Sequence, residues 1–250
     1  MCFDNKYSIS IIQIFNIILN LFSFKMINFK EISFSIGGVQ LFENTSAFVP
    51  TGHKVGIVGR NGTGKTSLFK LVLNELTLDS GIIEVPKNYK IGAVAQEAPS
   101  TEETLINTVL SADIERTNLL NDLETETDPN KIENMHIRLS DIDAYSAEAR
   151  ASSILSGLGF SPEDQKSPCS SFSGGWRMRV ALASILFSNP DLLLLDEPTN
   201  YLDFEGTVWL ENFLQKFKNT VLVISHDRNL LNKSVNGILH LSNKKLQFYT

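Results

Sequence analysis

The chain contains 250 residues, of which 42% are hydrophobic, 20% charged and 9% aromatic. These proportions are ordinary for a globular protein with a large buried core, and they exclude a disordered chain, a collagen-like repeat and a multi-span membrane protein. The net charge of −6 argues against a general nucleic-acid binder. Two cysteines are too few for a disulfide framework, which favours a reducing, cytoplasmic location.

The first 25 residues differ in composition from the rest of the chain. The apolar stretch Ile9–Phe22 is 14 residues long, shorter than the ~20 residues that span a bilayer. It has neither the basic flank nor the small-residue cleavage site of a secretion signal. Its bias toward Ile, Asn, Lys, Phe, Leu, Tyr and Ser is typical of translated A/T-rich upstream sequence. We expect residues 1–25 to be an N-terminal extension, either non-native, a membrane-associated helix or a docked helix.

The region that begins at Met26 opens with β-strand patterns. Residues 27–36 and 40–49 are rich in β-branched and aromatic residues and flank Gly37-Gly38, which predicts a hairpin. Three shorter elements are predicted next, namely a strand at 53–58, a helix at 66–74 and a strand at 90–94.

The second half of the chain alternates helical and buried-strand patterns. Residues 104–158 have helical spacing, and within them lies most of a strongly acidic stretch, 101–150, with 12 acidic and 4 basic side chains. The remaining predicted elements are the apolar strands DLLLL (191–195) and TVLVI (220–224), a helix at 208–217 and a terminal hairpin of 238–241 with 245–249. Buried strands that alternate with helices predict an α/β core of parallel strands, with the acidic helical segment inserted into it.

A glycine-rich loop follows the third predicted strand. The segment Gly59-Arg60-Asn61-Gly62-Thr63-Gly64-Lys65-Thr66 matches G-x-x-x-x-G-K-[ST], between an apolar strand and a helix as that motif requires. The glycines allow several backbone N–H groups to converge on a β-phosphate, and the helix directs its positive end toward the same group. We expect the Lys65 ammonium between the β- and γ-phosphates and the Thr66 hydroxyl on Mg²⁺. The loop therefore predicts nucleotide binding.

Two adjacent carboxylates end the apolar run 192–195. A buried strand would deliver Asp196 to its carboxyl end, where α/β sheets bind ligands. Asp196 is expected to hold Mg²⁺ through water, and Glu197 to orient or deprotonate an attacking water. An Asp-Glu pair after a strand would also suit the start of a helix. The nearby phosphate loop favours the nucleotide-site interpretation.

The segment Phe172-Ser173-Gly174-Gly175-Trp176 continues through RMRVALASILFSNP into LLLLDEPTNYLD, which ends at Asp203. This run resembles the signature and Walker B motifs of the ATP-binding-cassette (ABC) family, and the resemblance covers residues 26–250. It implies an α/β P-loop NTPase of the ABC type, with an antiparallel β subdomain and a helical subdomain inserted at about residues 97–180. It also implies ATP and Mg²⁺ as ligands and ATP hydrolysis as the activity.

The resemblance assigns further site residues. Gln96 matches the Q-loop glutamine, which would reach Mg²⁺ or the attacking water, and His226 matches the switch histidine, which would contact the γ-phosphate. Glu197, His226 and Gln96 are thus the implied catalytic residues. Asp203 matches the D-loop aspartate. The signature residues, which would cap a γ-phosphate held by a partner domain, are Ser173, Gly174 and Gly175. Without the resemblance, Gln96 also suits a loop amide and His226 a strand-end histidine.

Three features resemble the ABC-F class of soluble, tandem-cassette ATPases, many of which act on the ribosome. Trp176 replaces the glutamine of transporter signatures, residues 197–203 read EPTNYLD, and the insert is long. We expect the N-terminal half of such a protein, paired with a second cassette in cis or as a homodimer, and with the ribosome as a further partner. The alternatives are the ATP-binding subunit of a membrane transporter, paired with a permease, and a non-catalytic cassette.

Two positions depart from the family pattern. Tyr201 stands where the ABC-F class has histidine, which leaves the contact made by the D-loop open. Ile36 stands before Gly37-Gly38, where many cassettes stack an aromatic ring on adenine. Phe34 or Phe42 could replace that ring, or aliphatic contact alone could hold the base.

Overall fold

The computed structural model describes residues 26–94 and 100–250. The expectations for residues 1–25 and for Gln96 lie outside these ranges. The strands are β1 (Met26–Ile36), β2 (Val39–Pro50), β3 (Lys54–Gly59), β4 (Ser80–Glu84), β5 (Ile91–Ala93), β6 (Leu192–Asp196), β7 (Thr220–Ile224), β8 (Gly237–Ser242) and β9 (Lys245–Tyr249). The α-helices are α1 (Lys65–Val72), α2 (Leu105–Leu110), α3 (Ile114–Thr125), α4 (Pro129–Asp141), α5 (Ala147–Gly157), α6 (Gly174–Phe187), α7 (Phe204–Lys216) and α8 (Arg228–Ser234).

The strands form two sheets. The smaller sheet is antiparallel, in the order β2-β1-β4. The larger sheet has the order β5-β6-β7-β3-β8-β9, and every neighbouring pair in it is parallel except β8 and β9. The predicted N-terminal hairpin, parallel core and terminal hairpin are therefore confirmed. Strand β4 and helix α8 were not predicted from the sequence.

Successive side chains of the central strands enter two different cores, because strand residues alternate between the faces of a sheet. On one face the strands pack against α1 and the antiparallel sheet, through Leu192, Leu194, Leu222 and Ile224. On the other face they pack against α5, α6 and α7, through Leu193, Leu195, Val221 and Val223. All eight side chains are buried, which explains why both strands are uninterrupted apolar runs.

This topology brings three loops to one edge of the sheet. Strands β6, β7 and β3 are adjacent and parallel, so their carboxyl ends lie side by side. The phosphate loop follows β3 at Gly59, Asp196 ends β6, and His226 comes two residues after β7. The edge formed by these strand ends is where an α/β sheet binds its ligands.

Helices α2 to α5 lie between β5 and β6 in the chain, within the predicted helical insert. Helix α3 buries no side chain and α4 buries only Leu139, so these two helices are largely solvent-exposed. Arg138 of α4 pairs with Glu115 of α3 at 2.6 Å and, with Lys90, lowers the pKa of that carboxyl. Among the described residues, no helix has both the length and the apolar character needed to cross a membrane.

Candidate functional site

The phosphate loop is shaped by two glycines that no other residue can replace without strain. A Cβ on Gly59 would lie 2.7 Å from the carbonyl oxygen of Leu241, so the loop leaves β3 through a passage that only glycine fits. Gly64 has φ +100°, and a Cβ there would press on Leu41 and Phe42 at 3.1–3.2 Å. Gly64 directly precedes α1, so the left-handed turn aims the helix N-terminus into the loop.

Lys65 is held inside this loop. The residue is 9% exposed, and the ammonium Nζ donates to the carbonyl oxygens of Gly59 at 2.9 Å and Arg60 at 3.3 Å. The Arg60 carbonyl also accepts a hydrogen bond from the Thr63 hydroxyl at 2.9 Å. These bonds fix the ammonium at the mouth of the loop, where an anion bound by the loop would meet it.

Two of the three residues predicted to hold a metal are in contact. The Thr66 hydroxyl, in the first turn of α1, donates to Asp196 Oδ2 at 2.7 Å. These residues are 130 positions apart in the chain and come together only because β3 and β6 end at the same sheet edge. One hydroxyl and one carboxylate beside a phosphate-binding loop suit Mg²⁺, which is held by few protein oxygens together with phosphates and water.

The metal site is not a pre-built cage of protein ligands. In the described ranges, no group of three or more His, Cys, Asp and Glu side chains could hold a metal ion by itself. The Thr66 hydroxyl and the Asp196 carboxylate therefore suit a cation that takes its remaining ligands from bound phosphates. Gln96, the third predicted metal ligand, lies outside the described residues, and its role stays a prediction.

Glu197 and His226 form a pair across the ends of β6 and β7. Glu197 Oε2 accepts a hydrogen bond from the His226 backbone N–H at 3.2 Å, and its Oε1 lies 3.4 Å from His226 Nε2. The Glu197 backbone has φ +47°, a left-handed conformation that is costly for this residue, and its N–H donates to Ile224 O at 2.9 Å. The carboxylate is thus held in a defined position beside an imidazole that is 61% exposed.

A cleft of about 730 Å³ joins these groups. It is large enough for a nucleotide. Its polar lining residues include Asn61, Gly62, Gly64, Lys65, Thr66, Asp196, Glu197 and His226. The phosphate loop, both carboxylates and the histidine therefore line a single cleft.

The apolar end of the same cleft shows which side chains could contact the base of a nucleotide. Ile36 and Val39 line it and are 49% and 61% exposed. Phe34 and Phe42 are buried and face each other across β1 and β2, with ring centroids 6.4 Å apart. Neither aromatic ring lines the cleft. The sequence left two ways of holding a base open, stacking on an aromatic ring and aliphatic contact, and the described residues offer aliphatic contact.

The signature residues lie elsewhere. Ser173 is the N-cap of α6, is exposed, and makes no side-chain capping bond. A Cβ on Gly174 or Gly175 would meet nothing within 4 Å, so this helix N-terminus is open on its outer side. None of the three residues lines the cleft that contains Lys65, Asp196 and Glu197.

Asp203, the predicted D-loop residue, has a structural role. Its Oδ1 accepts from Gly206 N at 2.8 Å and caps α7, and its Oδ2 pairs with Arg179 at 2.9 Å. The Gly206 N–H and, next, the Arg179 guanidinium hold the pKa of the Asp203 carboxyl below its ordinary value. This cap also explains why α7 begins at Phe204, four residues before the predicted start.

Comparison with known proteins decides the family. A protein-family model described as ABC transporter matches residues 42–200, which is more than half of the chain. The chain belongs to the ABC transporter family. The predicted fold, an ABC-type cassette with an antiparallel β part, and its resemblance to ABC-F proteins are both confirmed.

The relatives of this cassette include a probable ATP-binding protein and a member of ATP-binding cassette sub-family F. It is 44% identical over 228 residues to the “Probable ATP-binding protein YheS” of Haemophilus influenzae, an alignment that covers 90% of this chain and 36% of the relative. It is 40% identical over 234 residues to the human “ATP-binding cassette sub-family F member 3”, covering 89% of this chain and 32% of the relative. The cassette thus spans about a third of the length of these relatives.

Solved structures agree on the cassette fold. One is an ATP-binding subunit of an ABC transporter, with a TM-score of 0.67 and 18% identity, where the match covers 90% of both chains. Another is a dimeric ATP-binding cassette in a post-hydrolysis state bound to ADP and Pi, with a TM-score of 0.64 and 19% identity. That match covers 90% of this chain and 98% of the other. At these identities the likeness establishes the fold.

The sequence did not single out Arg179, a residue of the signature helix α6 whose side chain reaches the D-loop. Arg179 of α6 contacts Asp203 and the backbone of two other segments. The sequence feature that could have indicated a role for Arg179 is Trp176, because residues three apart on a helix are neighbours and an arginine stacks readily on an indole ring.

Proposed function

We propose that this cassette binds and hydrolyses ATP with Mg²⁺ at the cleft of the phosphate loop. The loop residues Gly59 to Thr66 hold the phosphates, with the Lys65 ammonium against the β- and γ-phosphates. Thr66 and Asp196 hold Mg²⁺, which when bound offsets the charge of the phosphates. Glu197 orients or deprotonates the attacking water, and His226 contacts the γ-phosphate. Gln96 contributes to the metal or water contacts.

One observation carries this proposal. Lys65, the Thr66–Asp196 contact at 2.7 Å and the Glu197–His226 pair at 3.4 Å all line one cleft, although they come from three separate loops. A phosphate-binding loop alone would support nucleotide binding. A positioned carboxylate next to it, held by a neighbouring backbone N–H, supports hydrolysis as well.

The active form is proposed to contain two cassettes. Ser173, Gly174 and Gly175 lie at an exposed helix N-terminus outside the cleft, so they are free to meet a phosphate held by another cassette. The structural likeness to a dimeric cassette bound to ADP and Pi supports this arrangement. The second cassette comes either from the same longer protein or from a second copy of this chain.

The proposed cellular role rests on the class of the relatives. We propose that the chain is the N-terminal half of a cytoplasmic ABC-F protein that acts on the ribosome in translation. The sub-family F name of the human relative, at 40% identity, supports the class. Co-sedimentation of the full-length protein with ribosomes in the presence of ATP tests this role. Association with a membrane permease instead would favour the alternative, an ATP-binding subunit of a transporter.

Glu197→Gln tests the hydrolytic mechanism. The amide still accepts the His226 N–H bond but cannot act as a base, so turnover should fall by about 10²–10⁴-fold while Mg-ATP affinity is unchanged. Affinity is measured by calorimetry and turnover by phosphate release, at protein concentrations where the wild type is paired. Turnover within tenfold of the wild type would assign the base to another residue.

The same variant tests pairing. The specific activity of the wild type should rise with protein concentration. With ATP, Glu197→Gln should accumulate as a dimer, because hydrolysis no longer separates the two cassettes, and light scattering measures this dimer. Ser173→Ala provides a matched comparison, since it should leave monomer ATP affinity intact and weaken only the paired state. A high specific activity that is independent of protein concentration would contradict the two-cassette site.

A further inference from the structure

We propose that Arg179 is a positioning residue that ties the signature helix α6 to the turn carrying Glu197, so that hydrolysis depends on it and ATP binding does not. This inference rests on the proposed function and adds to it a residue outside the cleft of the phosphate loop. Arg179 is not among the residues that line that cleft.

Arg179 binds three separate segments at once. Its Nε donates to the carbonyl oxygen of Tyr201 at 2.6 Å, and one terminal nitrogen donates to Leu158 O at 3.1 Å and to Asp203 Oδ2 at 2.9 Å. The side chain is 11% exposed. Only a planar guanidinium has enough donors in a fixed fork to make all of these bonds.

Trp176 holds the guanidinium in this geometry. The Arg179 carbon Cζ lies 4.3 Å from the Trp176 ring centroid, and the ring also packs edge-to-face on Phe160, with centroids 5.0 Å apart. Gly159, between Leu158 and Phe160, has φ +97°, and a Cβ there would lie 3.0 Å from the Arg179 terminal nitrogen. The tryptophan that stands in place of the usual glutamine therefore serves as a stacking platform for Arg179.

The bond to Tyr201 links Arg179 to Glu197. A short 3₁₀ turn, Pro198–Tyr201, follows Glu197 directly, and Asn200 N donates back to Glu197 O at 3.1 Å. At its first end this turn is fixed to β7 through the bond from Glu197 N to Ile224 O at 2.9 Å. At its last end it is held by Arg179 through Tyr201 O. With the second attachment lost, the turn is held at its first end, and the left-handed Glu197 can relax, which disturbs the position of the carboxylate that the His226 N–H bond sets.

The phosphate loop does not depend on this attachment. Lys65 is held by Gly59 and Arg60, and Gly64 leads directly into α1. A change at Arg179 should therefore reduce the rate of hydrolysis and leave nucleotide affinity unaltered. A general loss of stability would lower the folded fraction, but it would not reduce the rate of hydrolysis while leaving nucleotide affinity unaltered.

Arg179→Lys is the test, because lysine keeps the charge but cannot reach Tyr201, Leu158 and Asp203 together. The matched control is Arg150→Lys, since Arg150 also lies over an aromatic ring, Phe187 at 5.4 Å, and pairs with a carboxylate, Asp143 at 3.9 Å, away from the turn. Arg179→Lys should lower kcat by about 10- to 100-fold and leave the Kd for Mg-ATP within about twofold, whereas the control should change neither.

The outcomes separate this inference from the proposed function. An Arg179→Lys protein with the turnover of the control, beside an active wild type, would overturn this inference alone. A wild type that binds ATP but hydrolyses none, even when paired, would overturn both. If Arg179→Lys does not fold, Trp176→Leu removes the stacking platform together with its packing on Phe160, leaves Arg179 in place, and should lower kcat severalfold at unchanged Kd. An equal loss of kcat and affinity in that variant would also refute the positioning role.

Discussion

Substitution of Lys65 tests the nucleotide site most directly. The Lys65 ammonium holds the loop through the Gly59 and Arg60 carbonyls at 2.9 and 3.3 Å and is proposed to meet the phosphates. Lys65→Met keeps most of the buried stem, which is part of a residue only 9% exposed, and removes the charge. Any change in this variant therefore reports on the ammonium and not on a cavity.

The effects of Lys65→Met on stability and on Mg-ATP affinity can both be estimated. A hydrogen bond to a charged group contributes about 1.5–3 kcal/mol, so loss of the shorter loop bond should lower the free energy of unfolding by about that amount. One unit charge facing another at ~4 Å near a protein surface is worth about 4 kcal/mol, or roughly a thousandfold in affinity. The Kd for Mg-ATP should therefore rise by about a thousandfold, a larger change than the loss of stability.

Calorimetric titration with Mg-ATP measures the affinity, and urea unfolding without nucleotide measures the stability. Lys30→Ala is the control, because Lys30 is 53% exposed and pairs with Glu84 on the antiparallel sheet. This control should bind Mg-ATP as the wild type does. A Lys65→Met protein that binds Mg-ATP within tenfold of the wild type would refute the assignment of this loop as the phosphate site.

Two further predictions concern the D-loop and the base. Because the pKa of Asp203 is lowered, its charge stabilises the folded state fully above the ordinary value of 3.8, and this contribution is lost as pH falls through the lower folded pKa. The difference in urea midpoint between the wild type and Asp203→Asn should therefore shrink in acid, and a difference independent of pH would disprove the role of the charge. Ile36→Tyr should tighten Mg-ATP and Mg-GTP alike by about five- to a hundredfold, because stacking adds affinity without reading the edge of the base. Calorimetry with both nucleotides tests this, and unchanged affinities would place the base away from Ile36.

The sequence predicted the parts of the fold that have strong local patterns. The apolar runs at 192–195 and 220–224 are strands because a strand buried on both faces needs an apolar residue at every position. Strand β4 was missed because it is short and irregular. Its Gly81 has φ +86°, and its pairing with β1 shifts register between Lys30 and Ser33. Helix α8 has only seven residues, and its one clear signal was the capping residue Asp227.

The site was predictable wherever its residues carry a motif. Thr66, Asp196 and Glu197 were predicted because fixed residue types stand at fixed places after strands, and His226 because its place after a strand resembles that of the family's switch histidine. Arg179 was not, because two of its partners are backbone carbonyls whose approach depends on how three segments pack. The contact to the base stayed open for a similar reason, since only the pairing of β1 with β2 decides which phenylalanines are buried.

The backbone at Glu197 connects the proposed chemistry to the evolution of this chain. In the described part of the chain, nine residues other than glycine have positive φ, and six of these are Asn or Asp. Glutamate is poorly suited to that conformation, which costs on the order of 1–3 kcal/mol. Selection for thermal robustness alone would favour replacing this residue with glycine or asparagine. The glutamate is thus a point where stability and turnover conflict, and stabilised designs of this cassette should leave it unchanged.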